Sequence, residues 1–276
     1  MHRLLTGSLK VERLTIPIVN LPSALDGTTI VQLSDLHYDG KRLSDSLLRQ
    51  AIEATNQADP DLVVLTGDFV TDDPAPIYPL ALQLKHLRSR AGVWAILGNH
   101  DLYRRASRVT ITEALTSVDI PILWDQVVYP LGEGLAIVGL PECWSPAFKA
   151  SRILDQVPQA VPRIVLAHNP DCAEFLQQWR VDLQLSGHTH GGQIVVPGLG
   201  NISVLAAKLY GRLPPRTRNR LPFLRACYRV MKHWEWSKGL YHVGNNRLYV
   251  NRGLGTYLPG RLFCPPEVTV ITLTEG

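Results

Sequence analysis

The feature that most constrains this chain is a series of short runs that are apolar at consecutive positions and end abruptly in polar residues. IVQL leads into Ser34-Asp35-Leu36-His37, LVVLT into Gly67-Asp68, and VWAIL into Gly98-Asn99-His100-Asp101. IVLA leads into His168-Asn169-Pro170, and LQLS into Gly187-His188-Thr189-His190. An alternating strand needs cover on one face only. A run such as LVVLT needs it on both, which requires helices on the sheet or a second sheet stacked against it. Strand patterns at 11–19, 30–34, 62–66, 93–97, 135–138, 164–167 and 182–186 alternate with helical patterns at 44–57, where Ser44 is the expected N-cap, 79–89 and 106–117. The tail differs, with strands at 240–243, 248–251 and 268–273 and no helices between them. Between the two regions lies an irregular, proline-broken stretch, 198–239, read as an insertion or cap on a single domain spanning 1–276. The expected class is α/β.

Ligands of α/β sheets bind in the crevice beyond the carboxyl ends of the strands, so these endings can converge although they are far apart in sequence. Five of the nine histidines lie in them. Residues i and i+2 of an extended segment point to one side, so Asp35 with His37, and His188 with His190, can each aim two groups into one cleft. Carboxylate, imidazole and amide form an oxygen and nitrogen set suited to borderline divalent cations. The four cysteines, Cys143, Cys172, Cys227 and Cys264, are dispersed without a C-x-x-C spacing, which argues against a zinc ribbon and for reduced thiols.

The order D-x-H, G-D, G-N-H-D, H, G-H-x-H resembles the calcineurin-like metallophosphoesterase superfamily over residues 30–190. VQLSDLH, LTGDFV, LGNHD, HNPD, LSGHTHGGQ and VNRGLG narrow the resemblance to the YaeI/YkuE group of phosphodiesterase-like proteins. It implies two packed mixed β-sheets flanked by helices, an αββα sandwich. It also implies that Asp35, His37 and His190 hold one metal, that Asn99, His168 and His188 hold a second, and that Asp68 bridges them. Manganese is the first expectation, with iron, zinc, cobalt or nickel also fitting. Two cations ~3.5–4 Å apart can hold a bridging hydroxide for in-line attack on phosphorus.

His100 is free of metal in this scheme and is expected to protonate the leaving oxygen, with Asp101 orienting its imidazole. Asn99 and Arg252 are the candidate substrate-binding residues. Arg252 has two readings, a guanidinium reaching a phosphate oxygen or an ion pair at a turn. Gly67, Gly98, Gly187, Gly191 and Gly192 are read as conformational, and Asn169-Pro170 as a turn. His2, His86, His233 and His242 fall outside every motif.

Net charge divides unevenly, −5 up to Gly200 and +9 from Asn201 onward. Residues 208–238 hold nine basic side chains against Glu235 alone, interleaved with Tyr210, Phe223, Tyr228, Trp234 and Trp236. A helix over 222–235 would align Arg225, Arg229 and Lys232 opposite Leu224, Cys227, Met231 and Trp234. Such a helix could lie on an anionic membrane or simply pack as a cap with a solvated basic side. Nucleic acid is the weaker partner reading, because no nucleic-acid motif supports it. No signal peptide or membrane-spanning run is visible, so the expected location is cytoplasmic, at most peripheral to the inner face of the membrane.

The function expected is hydrolysis of phosphate esters, first of all phosphodiesters. The alternative substrate is a lipid-linked nucleotide pyrophosphate such as UDP-2,3-diacylglucosamine, and soluble monoesters also fit. From another class, the chain could be a non-catalytic membrane or partner-binding module on the same fold.

Overall fold

Among the described residues thirteen strands form: β1 (Lys10–Ile18), β2 (Thr29–Leu33), β3 (Leu62–Leu65), β4 (Val93–Ala95), β5 (Gln126–Val128), β6 (Ala136–Gly139), β7 (Arg163–Leu166), β8 (Leu183–Ser186), β9 (Val195–Val196), β10 (Gly200–Asn201), β11 (Gly239–Val243), β12 (Asn246–Val250) and β13 (Glu267–Glu275). Among the described residues the α-helices are α1 (Asp45–Gln57), α2 (Ile77–Leu84), α3 (Ser107–Thr116), α4 (Ser151–Leu154), α5 (Cys172–Leu176), α6 (Ile202–Arg212) and α7 (Pro222–Val230). The computed structural model describes residues 6–145, 148–214, 217 and 220–276, with the backbone alone at 222, 223, 226 and 227.

The strands form a five-stranded sheet, β1-β13-β2-β3-β4, and a six-stranded sheet, β11-β12-β8-β7-β6-β5; β9 and β10 pair separately. Both large sheets are mixed. β2, β3 and β4 run parallel, as do β6, β7, β8 and β12, whereas β13, β5 and β11 each make an antiparallel pairing.

Alternation along each strand explains the unbroken apolar runs. Ile30, Leu62 and Val64 from the first sheet meet Ile137, Ile164, Leu166 and Leu185 from the second in one core between the sheets. Their neighbours Val31, Val63 and Leu65 face outward under α1, α2 and α3. Val138, Val165 and Ala167 do the same under α4 and α5. Four layers result, helix, sheet, sheet, helix, as the buried-strand pattern requires. Gln32 is a polar member of the inner layer, as are Glu267 and Thr269 of β13. Gln32 Nε2 donates to Thr66 Oγ1 and to the Ser186 carbonyl, both at 2.9 Å, joining the sheets close to the strand ends.

The helix expected at 79–89 lies at Ile77–Leu84, and the 198–239 segment is more regular than its prolines suggest. α6 starts where Asn201 Oδ1 accepts the Ser203 amide at 2.8 Å. α7 stops at Val230, so the helix expected over 222–235 is corrected. Asp171 captures the amides of Lys232 and His233 at 2.7 and 2.9 Å, which turns the chain out of the helix. Lys232 therefore leaves the basic face and pairs with Glu174 at 2.6 Å. No helix among the described residues is long and apolar enough to cross a membrane.

Candidate metal centre

All five polar endings meet at one edge of the sandwich. Asp35 and His37 follow β2, Asp68 follows β3, Asn99 and His100 follow β4, His168 follows β7, and His188 and His190 follow β8. Asp35, His37 and His190 form one group of potential ligands, and Asp68, His168 and His188 a second. His37 Nε2 lies 3.1 Å from His190 Nε2, and His190 Nε2 lies 3.5 Å from Asp35 Oδ1. In the second group His168 Nε2 is 3.3 Å from His188 Nδ1. Asp68, a member of the second group, also approaches the first: its Oδ2 is 3.1 Å from His168 Nε2 and 3.5 Å from His37 Nε2.

Backbone carbonyls select the tautomers, because a carbonyl only accepts and its ring partner must carry the proton. Thr66 takes His168 Nδ1–H at 2.7 Å and Gly255 takes His190 Nδ1–H at 3.1 Å, which turns each Nε2 toward the centre. Val230 takes His188 Nε2–H at 3.0 Å, so this imidazole presents Nδ1 instead. The Tyr257 hydroxyl contacts His37 Nδ1 at 3.2 Å.

Charge and burial suit cations. Burial depresses the His37 and His190 imidazoles to about 3, against opposing attraction from Asp68 and Asp35, so both rings stand neutral and ready to ligate. Burial also resists charge on Asp68 and His168, yet their mutual attraction holds the carboxyl well below its usual range and the imidazole well above. Asn99 Oδ1 is buried without a hydrogen-bond partner and lines the same cleft. An orphaned acceptor and crowded imidazole lone pairs are what a ligand set for cations leaves behind.

The backbone is bent to make this possible. Asp35, His37, Asp68, His188 and His190 all have φ between 43° and 70°, a left-handed conformation that side chains with a Cβ rarely adopt. Two of the motif glycines act by close approach rather than by a left-handed turn: a methyl at Gly98 would overlap Asp68 Oδ1, and one at Gly187 would overlap Ser34 Oγ and Asp35 Oδ2.

Two expected partnerships are corrected. Asp101 does not orient His100. Its carboxylate accepts the amides of Asp68, Phe69, Val70 and Gly98 at 2.8–3.2 Å and so holds the loop that carries Asp68. Burial beside the Asp68 charge raises the Asp101 carboxyl to about 7. His100 is instead oriented by the Thr71 carbonyl, 2.7 Å from Nδ1. Arg252 does not reach the centre either; it pairs with Glu12 and the buried Glu267, each at 2.8 Å. The arginine that serves this edge is Arg261, whose Nη2 donates to the carbonyls of Arg252, Gly253 and Gly255 and braces the loop behind His190.

The calcineurin-like phosphoesterase family model matches residues 28–192, which hold every one of the five strand endings. The chain is a calcineurin-like phosphoesterase. This phosphoesterase is 32% identical over 272 residues to the metallophosphoesterase YkuE of Bacillus subtilis, covering 94% of the chain and 83% of that protein. It is also 32% identical to the phosphodiesterase YaeI of Escherichia coli, covering 88% of the chain and 81% of that protein. A third relative is the UDP-2,3-diacylglucosamine pyrophosphatase LpxG of Chlamydia muridarum, at 28% identity over 95% of the chain and 88% of that protein. The phosphoesterase thus carries two candidate metal triads on a metal-dependent hydrolase fold.

Proposed function

We propose that this phosphoesterase hydrolyses phosphodiesters with two divalent cations, manganese first among them. One is held by Asp35, His37 and His190, the other by Asn99, His168 and His188, with Asp68 between. The observation that carries this reading is the position of Asp68 Oδ2 within 3.5 Å of nitrogens from both groups. When bound, such a pair acidifies water and neutralises phosphoryl oxygens. The protein's own groups do the rest. Thr66, Gly255 and Val230 fix the ligand tautomers, and Asp101 fixes the loop of Asp68. His100, with Nδ1–H on the Thr71 carbonyl, offers Nε2–H to the departing oxygen. Similarity to the phosphodiesterase YaeI at 32% identity favours the diester.

A second substrate reading has its own support. Behind the metal cleft lies a cavity of about 440 Å³ lined by Trp144, Val204, Lys208, Arg229 and Lys232, and Trp234 borders both spaces. Apolar walls with cations at the rim suit a diphosphate that carries acyl chains, and LpxG acts on such a compound. The deciding experiment compares bis-p-nitrophenyl phosphate, p-nitrophenyl phosphate and UDP-2,3-diacylglucosamine as substrates of the manganese-loaded protein. Preference for the first supports the diester and preference for the last the pyrophosphate. No turnover of any by protein holding two cations would favour a binding module.

A further inference from the structure

The outer face of the cap carries aliphatic and basic side chains together. Along α6, Leu205, Lys208, Leu209 and Arg212 fall at i, i+3, i+4 and i+7, a single stripe, and all four are exposed. Leu205 is 41% and Leu209 51% exposed. The opposite side of the helix is satisfied already: Ala206 and Tyr210 are buried, and the Tyr210 ring lies 4.9 Å from Tyr228 of α7. The outward leucines therefore leave about half of their surface open to solvent. Six of the eighteen exposed large hydrophobic side chains among the described residues fall within 198–239.

Charge narrows the partner. Between Asp182 and Glu267 the only acidic residue is Glu235. The ion pairs recorded for the segment are Lys232 with Glu174 and His233 with Glu174 and Glu235, which leaves Lys208 and Arg212 outside them. A face that is both basic and aliphatic repels its own copy. The apolar members of the stripe are leucines, which suit an acyl boundary better than base stacking, although the exposed Tyr228 ring lies next to the helix.

We propose that this face docks on an anionic phospholipid surface. Leu205 and Leu209 enter the boundary between headgroups and acyl chains, and Lys208 and Arg212 meet lipid phosphates. α6, an 11-residue helix, lies in the plane of the surface rather than across it. The inference holds whichever phosphate ester is cleaved.

Cosedimentation of the full chain with vesicles tests it, using phosphatidylcholine alone and phosphatidylcholine with phosphatidylglycerol at roughly 2:1. Binding to the mixed vesicles alone at low salt is expected. Lys208→Gln/Arg212→Gln should weaken it about fivefold per lost cation, and Leu205→Ser/Leu209→Ser should weaken it by about tenfold or more. Retained metal content and unchanged thermal unfolding identify both variants as folded. Binding that ignores lipid charge, or that survives the leucine substitutions intact, would overturn the proposal. The second result, accompanied by equal affinity for a single-stranded oligonucleotide, would reassign the face to a polyanion.

Discussion

The imidazole of His188 donates its Nε2–H to the carbonyl of Val230, 42 positions away, at 3.0 Å. A candidate metal ligand is thus aimed by the last residue of a cap helix, and the cap is anchored by Asp171, which holds the amides of Lys232 and His233. Asp171→Ala should release this anchor and let His188 turn. The expected result is about tenfold weaker binding of one of two cation equivalents, the other unchanged, in a calorimetric manganese titration. Equal weakening of both would show that Asp171 supports the whole edge rather than one ligand.

Removing the shared carboxylate should differ from removing an unshared one. Asp68→Ala is expected to lose both cations and to fall below ~1% of wild-type turnover, whereas Asp35→Ala should lose one. Metal content by mass spectrometry, measured beside bis-p-nitrophenyl phosphate hydrolysis, distinguishes the cases.

His100 and Asp101 adjoin in sequence but do different work. His100→Asn should cut turnover by ~10²–10⁴ while both cations stay bound. Asp101→Asn should act on folding, because a carboxamide offers one oxygen where the carboxylate serves four buried amides. A loss of about 1–3 kcal/mol in denaturant unfolding is expected. An Asp101 variant of normal stability but without turnover would return that residue to the reaction.

The metal-free protein should weaken in acid. His37 and His190 titrate at about 3 in the folded chain and near 6.5 when unfolded. Between those values the unfolded state binds more protons, so stability rises with pH by up to ~1.4 kcal/mol per pH unit for each imidazole. Asp101, raised to about 7, has the opposite sign between 3.8 and 7 and offsets part of the effect, whereas His168, shifted upward, adds a stabilisation that is constant below 6.5 and is lost only above it. Thermal unfolding after dialysis against chelator should show Tm falling below pH 6.5, and His37→Asn/His190→Asn should flatten that slope.

Arg252→Ala should leave Glu267 buried without its cation. A destabilisation of about 3 kcal/mol is expected, with KM within about twofold of wild type. A tenfold rise in KM at normal Tm would instead put Arg252 on the substrate.

What could be read from the sequence was what is local. Consecutive apolar residues in LVVLT and IVLA demanded cover on both faces, and the abrupt polar endings lie together in the folded chain. What could not be read was the identity of partners. Arg252 meets Glu12 across 240 positions, and neither residue's neighbours announce the other. Asp101 beside His100 looked like a dyad, but the partner of that imidazole is the Thr71 carbonyl, a group every residue possesses. Val230 contributes through its backbone in the same way, so no side-chain pattern signals it. α6 was hidden among glycines and prolines, and its Asn201 cap had no strong helical period after it.

Each triad draws on both halves of the sandwich. Asp35 and His37 from the first sheet meet His190 from the second, and Asp68 from the first meets His168 and His188 from the second. A cation in either position would therefore rivet one sheet to the other at the edge where Gln32, Asn251 and Tyr249 already reach across with polar bonds. Starving a cell of the metal would then loosen the architecture as well as silence the chemistry, and supply of the ion would govern how long the protein survives.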